Sequence, residues 1–308
     1  MTTGRLVVGT RGSPLALWQA NWAKETLETH YPGLHVEIEV IRTTGDRLAS
    51  APLAQMGGKE VWTKEIEEAL LKGQIDLAVH SLKDLPTVLP TGLVLGAISP
   101  RADVQDALIA REGGDLESLK KGARIGTGSL RRQAQLLWLR ADLQVEGIRG
   151  NVDTRLRKLE TEGLDGIILA SAGLHRLGLG DRITEVLDEG RMLPAPGQGA
   201  LGIEIREGDE RVQVSVDGLN DLETQQAITA EREMLQVLGG GCRVPIGGWA
   251  RLEHGVLTLD GMVASTDGKR LLRICLGENG LSPEKLGEKV ALALKERGAD
   301  DILLELAD

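Results

Sequence analysis

Apolar positions along the chain switch between two spacings, and the switches mark out its elements. "RLVVGT" is a short β-rich run that stops at "RGSP", after which "LALWQANWAKETLETH" carries its apolar residues at helical intervals. Ser13 followed by Pro14 reads as an N-cap and a first helical residue. A hydroxyl can accept a free helix N–H there, and proline's missing N–H costs nothing. The same grammar returns at "ARIGTGS" followed by "LRRQAQLLWLRA", with Ser129 as the expected cap. Gly9-Thr10-Arg11-Gly12-Ser13 and Gly126-Thr127-Gly128-Ser129 thus close two strand–glycine loop–helix units.

A second echo supports the first. "EEALLKGQIDLAVHSLKD" predicts a helix running into a buried strand after Asp76, and "RLRKLETEGLDGIILASAGLHRLG" predicts the same after Asp165. Such alternation predicts an α/β fold of two lobes with mostly parallel sheets and polar residues gathered where strands end. Ligands of open α/β sheets sit beyond the carboxyl ends of the strands, so the lobes are expected to face a cleft. From Leu222 the pattern changes: "ETQQAITAEREMLQVL" is an amphipathic helix, and short alternating strands follow, separated by turns at His254-Gly255 and Asp267-Gly268. "SPEKLGEKVALALKERGADDILLEL" is a capped helix and a last apolar stretch. This end reads as a small α+β domain.

The 308 residues are enough for two or three domains, and 41% hydrophobic with 27% charged residues is a globular profile. No apolar run approaches the ~20 residues that span a bilayer, and "MTTGRLVVGTRGSP" does not read as a signal peptide, which points to the cytoplasm. Two cysteines 33 positions apart, without CxxC, make a disulfide framework or a structural metal site improbable. Phe is absent where ordinary usage would supply about a dozen, so the core must be built from Leu, Ile, Val and Ala.

A net charge of −10 argues against nucleic acid as a partner. Yet eight basic residues stand between Arg124 and Lys158 (Arg124, Arg131, Arg132, Arg140, Arg149, Arg155, Arg157 and Lys158) against Asp142, Glu146 and Asp153. An ordinary solvated helix face would account for that count. Arg131 and Arg132, however, fall in the first turn of a helix, where cations oppose the dipole, and arginine pairs suit planar anions. They are expected to hold an external carboxylate or phosphate. "DLAVHSLKDLP" ends an apolar strand with His80, Ser81, Lys83 and Asp84, which places a carboxylate near cations at the expected mouth of a cleft. "VLGGGCRVPIGG" presents Cys242 among glycines, as a nucleophile, a ligand or a covalent anchor, whereas Cys275 lies within a strand and reads as core.

Six motifs in order, "TRGSPLALWQA", "AVHSLKDLP", "GTGSLRRQAQL", "IRGNVDTRL", "PAPGQGALGIE" and "GGGCRVPIG", resemble those of the porphobilinogen deaminases (hydroxymethylbilane synthases) across essentially the whole chain. The resemblance implies two lobes like those of periplasmic binding proteins, residues 1–99 with 200–217 and residues 100–199, and a cofactor-carrying domain over 218–308. It implies a monomer that joins four porphobilinogens head to tail and releases hydroxymethylbilane, on a dipyrromethane cofactor held by a thioether at Cys242. Asp84 would be the catalytic carboxylate, steadying the cationic azafulvene left when ammonia departs. Lys83, Asp84, Ser129, Arg131, Arg132 and Arg155 would bind the cofactor, and Arg11, Ser13, Gln19, Arg149, Arg155 and Arg176 the substrate carboxylates; no metal and no membrane are implied.

The chain departs from the family pattern at three places. Glu60-Val61-Trp62 replaces the usual "GLF", Gly128 stands where serine is common, and Gln55 lies in the lid loop Ala49–Lys59 where a lysine can occur. A non-catalytic, two-lobed anion-binding protein would explain the glycine loops and arginines, but not Cys242.

Overall fold

The computed structural model describes residues 4–47, 63–240, 244–277 and 279–305. The chain runs through β1 (Gly4–Thr10), α1 (Pro14–His30), β2 (Leu34–Val40), the single turn α2 (Thr44–Arg47), α3 (Lys64–Leu71), β3 (Leu77–Ser81) and β4 (Leu93–Ile98). It continues as β5 (Asp106–Ala110), β6 (Arg124–Gly126), α4 (Leu130–Leu139), β7 (Gln144–Glu146), α5 (Val152–Thr161), β8 (Gly166–Ala170), α6 (Ser171–Arg176) and β9 (Glu185–Leu187). Then come β10 (Leu201–Arg206), α7 (Glu210–Val216), α8 (Leu222–Val237), β11 (Ile246–Glu253), β12 (Val256–Ala264), β13 (Leu271–Gly277), α9 (Pro283–Glu296) and α10 (Ala299–Leu304). Two compact units result, Met1–Arg101 with Ala200–Gln225, and Ala102–Gly199 with Gln226–Asp308.

The sheet of the first unit has the order β2-β1-β3-β10-β4. β1 is parallel to β2 and β3, while β10 runs antiparallel to both β3 and β4. The second unit repeats this plan as β7-β6-β8-β5-β9, with β6 parallel to its neighbours and β5 antiparallel to β8 and β9. The sheets are therefore mixed: in each, four strands share a direction and one runs against them. The reversed strand is the one nearest a crossing between units, which the local periodicity does not reveal.

α1 begins where the Ser13–Pro14 grammar places it, with the Ser13 hydroxyl accepting from the Ala16 N–H. Ala20, Ala23 and Leu27 recur on one side of α1 and bury against Leu6, Val8, Leu77, Val79 and Ile203. Each such Leu or Ile contributes about 1.5–3 kcal/mol when fully buried. α3 covers the other face through Ile66, Ala69 and Leu70, against Ile75 and Ala78. Every buried hydrophobic side chain among the described residues is Leu, Ile, Val, Ala or Met.

The C-terminal domain is a small three-stranded sheet in the order β11-β12-β13. His254 and Gly255 both take positive φ (51° and 80°), the two-residue hairpin geometry that matches strand twist. Leu257, Leu259 and Val263 face α8 and α9, packing on Ala230, Met234, Val290 and Leu294. Cys275 is not core: it lies on β13 opposite Asp260 and is exposed. Strand alternation identifies two faces but cannot say which one is covered. On that second face Met262 and Ala264 pack on Ala134 and Leu193, Gln133 donates to the Thr266 carbonyl (3.1 Å), and Gly248 N–H donates to Pro194 (2.9 Å).

Candidate active site

β3 ends in a single 3₁₀ turn over Leu82–Asp84, closed by Leu85 N–H donating to the Leu82 carbonyl at 3.1 Å. Three residues per turn bring Leu82 and Leu85 to one side, and both are buried. Lys83 is half-buried and Asp84 exposed. From α1, buried Gln19 donates its Nε2 to Ser81 Oγ at 2.8 Å, so Gln19 supports the approach to the Asp84 turn. Half-buried Arg11 and Ser13 stand in the loop entering α1. The Ser13 oxygen caps the helix, and a hydroxyl that accepts there can also donate its proton.

In the second unit Ser129 repeats that arrangement, accepting from the Arg132 N–H at 3.4 Å. Arg131 and Arg132 are only 3% and 5% exposed, and the carboxylate they meet is internal. Asp106, fully buried, pairs through Oδ2 with Arg131 Nη2 at 2.7 Å, and through Oδ1 with Arg132 Nε (3.0 Å) and Nη2 (2.7 Å). Arg131 Nη1 also donates to the Leu193 carbonyl (2.6 Å), and Arg132 Nη1 to that of Ile168 (3.1 Å). Gln198 donates to Asp106 Oδ1 at 2.9 Å. Burial pulls the Arg131 guanidinium below its ordinary value, against the opposing pull of Asp106. Two buried cations thus share one aspartate, and Arg131 Nε has no partner among the described residues.

The remaining arginines divide. Half-buried Arg155 donates Nε to the Gly150 carbonyl (2.8 Å), and half-buried Arg149 precedes that glycine. Arg176 donates to the Gly199 carbonyl at 2.7 Å, and burial lowers its guanidinium to about 10. Arg124 is taken by Glu146, Arg140 by Asp142, and Arg157 is an exposed residue of α5. At Gly128 a Cβ would stand 2.8 Å from the Ile148 carbonyl oxygen, so a serine there would require the backbone to shift. Cys242 and the departures at Gln55, Glu60, Val61 and Trp62, with the loop Ala49–Lys59, lie outside the described residues.

Sequence reasoning missed Asp106 and Gln198, which anchor the arginine pair. It also missed Glu231, a fully buried carboxylate on α8 that accepts from the N–H groups of Gly197 and Ala250, each at 2.7 Å. The available signal was an acid next to an apolar stretch: Asp106 opens "DALIA", and Glu231 follows "AITA". The exposed Cys275 thiol is pushed up by burial of part of its surface and by Asp260, which disfavours the reactive thiolate.

Residues 6–214 match the family described as porphobilinogen deaminase, dipyromethane cofactor binding domain, and residues 225–296 match porphobilinogen deaminase, C-terminal domain. The chain is 51% identical over 306 residues to the porphobilinogen deaminase of Syntrophotalea carbinolica, covering 99% of this chain and 97% of that one. It is 49% identical to that of Syntrophobacter fumaroxidans, covering 99% of both. Among solved structures, the methionine-binding protein MetQ is similar with a TM-score of 0.46 and 16% identity, over 70% of this chain and 89% of that one. No helix among the described residues is long and apolar enough to cross a membrane.

Proposed function

The chain belongs to the porphobilinogen deaminase family, and from that premise we propose how its own residues perform the reaction. The enzyme is a transferase of tetrapyrrole biosynthesis that joins porphobilinogen units into hydroxymethylbilane. When bound, the dipyrromethane supplies the nucleophilic pyrrole carbon that starts the chain, and Cys242 is the residue we assign to hold it. Arg131, Arg132, Ser129, Lys83 and Arg155 hold its carboxylates. What supports this is the buried arginine pair: two guanidiniums on the single carboxylate of Asp106, with Arg131 Nε unpartnered among the described residues, fit one more anion.

Asp84 has the properties of the catalytic group. It projects from a turn whose neighbours Leu82 and Leu85 are buried, so a carboxylate stands at a fixed place with its charge outward. Positive charge developing on the substrate ring as ammonia leaves is stabilised by such a preorganised anion. Arg11, Ser13, Gln19, Arg149 and Arg176 bind and orient the acetate and propionate groups of the substrate. We assign residues 1–99 with 200–217, 100–199 and 218–308 as three domains of a cytoplasmic monomer without nucleic-acid or membrane partners. Intact-protein mass spectrometry tests the assignment: a covalent two-pyrrole increment mapping to Cys242 is expected, and a bare protein that merely binds porphobilinogen would indicate an anion-binding relative without the chemistry.

A further inference from the structure

One buried polar pair has no part in the reading above. His80 on β3 lies opposite Gly202 on β10, and Glu204 stands two residues further along β10, on the same face. His80 Nε2 and Glu204 Oε2 are 3.1 Å apart, with the histidine 8% and the glutamate 0% exposed. Glu204 Oε1 is buried without a partner among the described residues. A carboxylate in the middle of a sheet that leaves one oxygen unsatisfied is not explained by stability, because a well-packed apolar pair would serve the sheet better.

Its neighbours give it a place. A Cβ on Gly202 would stand 2.7 Å from Leu82 Cδ1, 3.1 Å from Leu85 Cδ1 and 3.0 Å from Leu95 Cδ2. The bare strand at Gly202, in register with His80, is therefore where the two leucines flanking Asp84 come to rest. Leu82 N–H is fixed to the same strand approach, donating to the Ala200 carbonyl at 3.1 Å, and Ser81 is in register with Leu201. A 3₁₀ turn of three residues has little hold of its own, so the seat beneath it sets the direction of Asp84.

We infer that His80, Gly202 and Glu204 are positioning residues for Asp84: Glu204 fixes the His80 ring, and ring and bare glycine together set the depth of Leu82 and Leu85. The inference rests on the catalytic role assigned to Asp84. Displacing a reacting group by about 1 Å can cost on the order of 10²-fold in rate. Leucine side-chain ends can move aside, so Gly202→Ala should fold.

The test compares Gly202→Ala, Glu204→Leu, Glu204→Gln and Asp84→Asn for cofactor mass, melting temperature, kcat and KM. Gly202→Ala and Glu204→Leu are expected to load cofactor and lower kcat by on the order of 10-fold or more at near-parental KM. Glu204→Gln, whose amide can still hydrogen-bond to His80, should recover most of the rate. Parental kcat in Gly202→Ala, or a fall in kcat that follows melting temperature and loading across the Glu204 variants with no rescue by glutamine, overturns the inference. If Glu204→Leu does not fold, Gly202→Ala decides alone. Parental turnover in Asp84→Asn would instead remove the role of Asp84 itself.

Discussion

Arg132 grips Asp106 twice at the same oxygen, Nε at 3.0 Å and Nη2 at 2.7 Å, while Arg131 takes the other oxygen at 2.7 Å. The shared aspartate makes the pair one unit. Asp106→Ala leaves two buried guanidiniums uncompensated and is expected to destabilise the fold by about 3–5 kcal/mol. Urea unfolding measures this, and a loss below ~1 kcal/mol would show that solvent reaches the cluster.

Arg131→Leu and Arg132→Leu should each reduce cofactor loading, because each removes a cation from the carboxylate-binding pair. Arg157→Leu, on the exposed side of α5, should load and turn over like the parent. Mass spectrometry and a steady-state assay on the three variants check the contrast. Equal behaviour would confine Arg131 and Arg132 to their internal pairing with Asp106.

Asp84→Asn should fold and load cofactor, yet lose on the order of 10²-fold or more in kcat, since a neutral amide cannot offset a developing cation. Turnover within a few-fold of the parent would contradict the assignment.

Cys242→Ala should lack both adduct and activity, whereas Cys275→Ala should keep both. Cys275 sits on an exposed strand position with its thiol held protonated. The Cys242 variant should also melt lower, because a bound polyanion stabilises the folded form that gathers the arginines. An adduct on Cys242→Ala, detected by intact mass, would place the attachment elsewhere.

Acid should weaken the second unit in a defined direction. Hydrogen bonds from Arg140, and then from the Gly122 N–H, hold Asp142 well below the usual carboxylate range. Hydrogen bonds from Arg124 lower Glu146 likewise. A carboxylate lowered on folding contributes fully above its unfolded value, ~3.9 for Asp, and loses that contribution as pH falls through the lower folded value. The gap in urea midpoint between the parent and Asp142→Asn should therefore hold between about pH 7 and pH 5 and narrow below about pH 4. A gap that widens in acid would contradict the pairing.

Local grammar is legible in the sequence wherever a residue acts on its near neighbours. Ser13, Ser129 and Ser282 cap α1, α4 and α9, each within three residues of the N–H it accepts. Long-range partners were not legible. The internal partner of Arg131 and Arg132 lies 25 and 26 positions upstream, brought near only when β5 pairs with β8. The His80–Glu204 pair spans 124 positions and depends on β10 entering the first sheet, which no window of periodicity can report. Cys275 reads as core because strand alternation does not report where along the second face the covering ends: Met262 and Ala264 are covered, and Cys275 is not.

β10 has a consequence for the chain's biogenesis. It fills the gap between β3 and β4, which are complete by residue 98, with a strand that begins at residue 201. During synthesis from the N-terminus, those two strands emerge about a hundred residues before their shared neighbour and present unpaired edges in the meantime. The whole of β5 to β9 is translated in that interval. The nascent first sheet is therefore a candidate client for a chaperone that shields open strands, and the turn bearing Asp84 acquires its floor only when β10 docks.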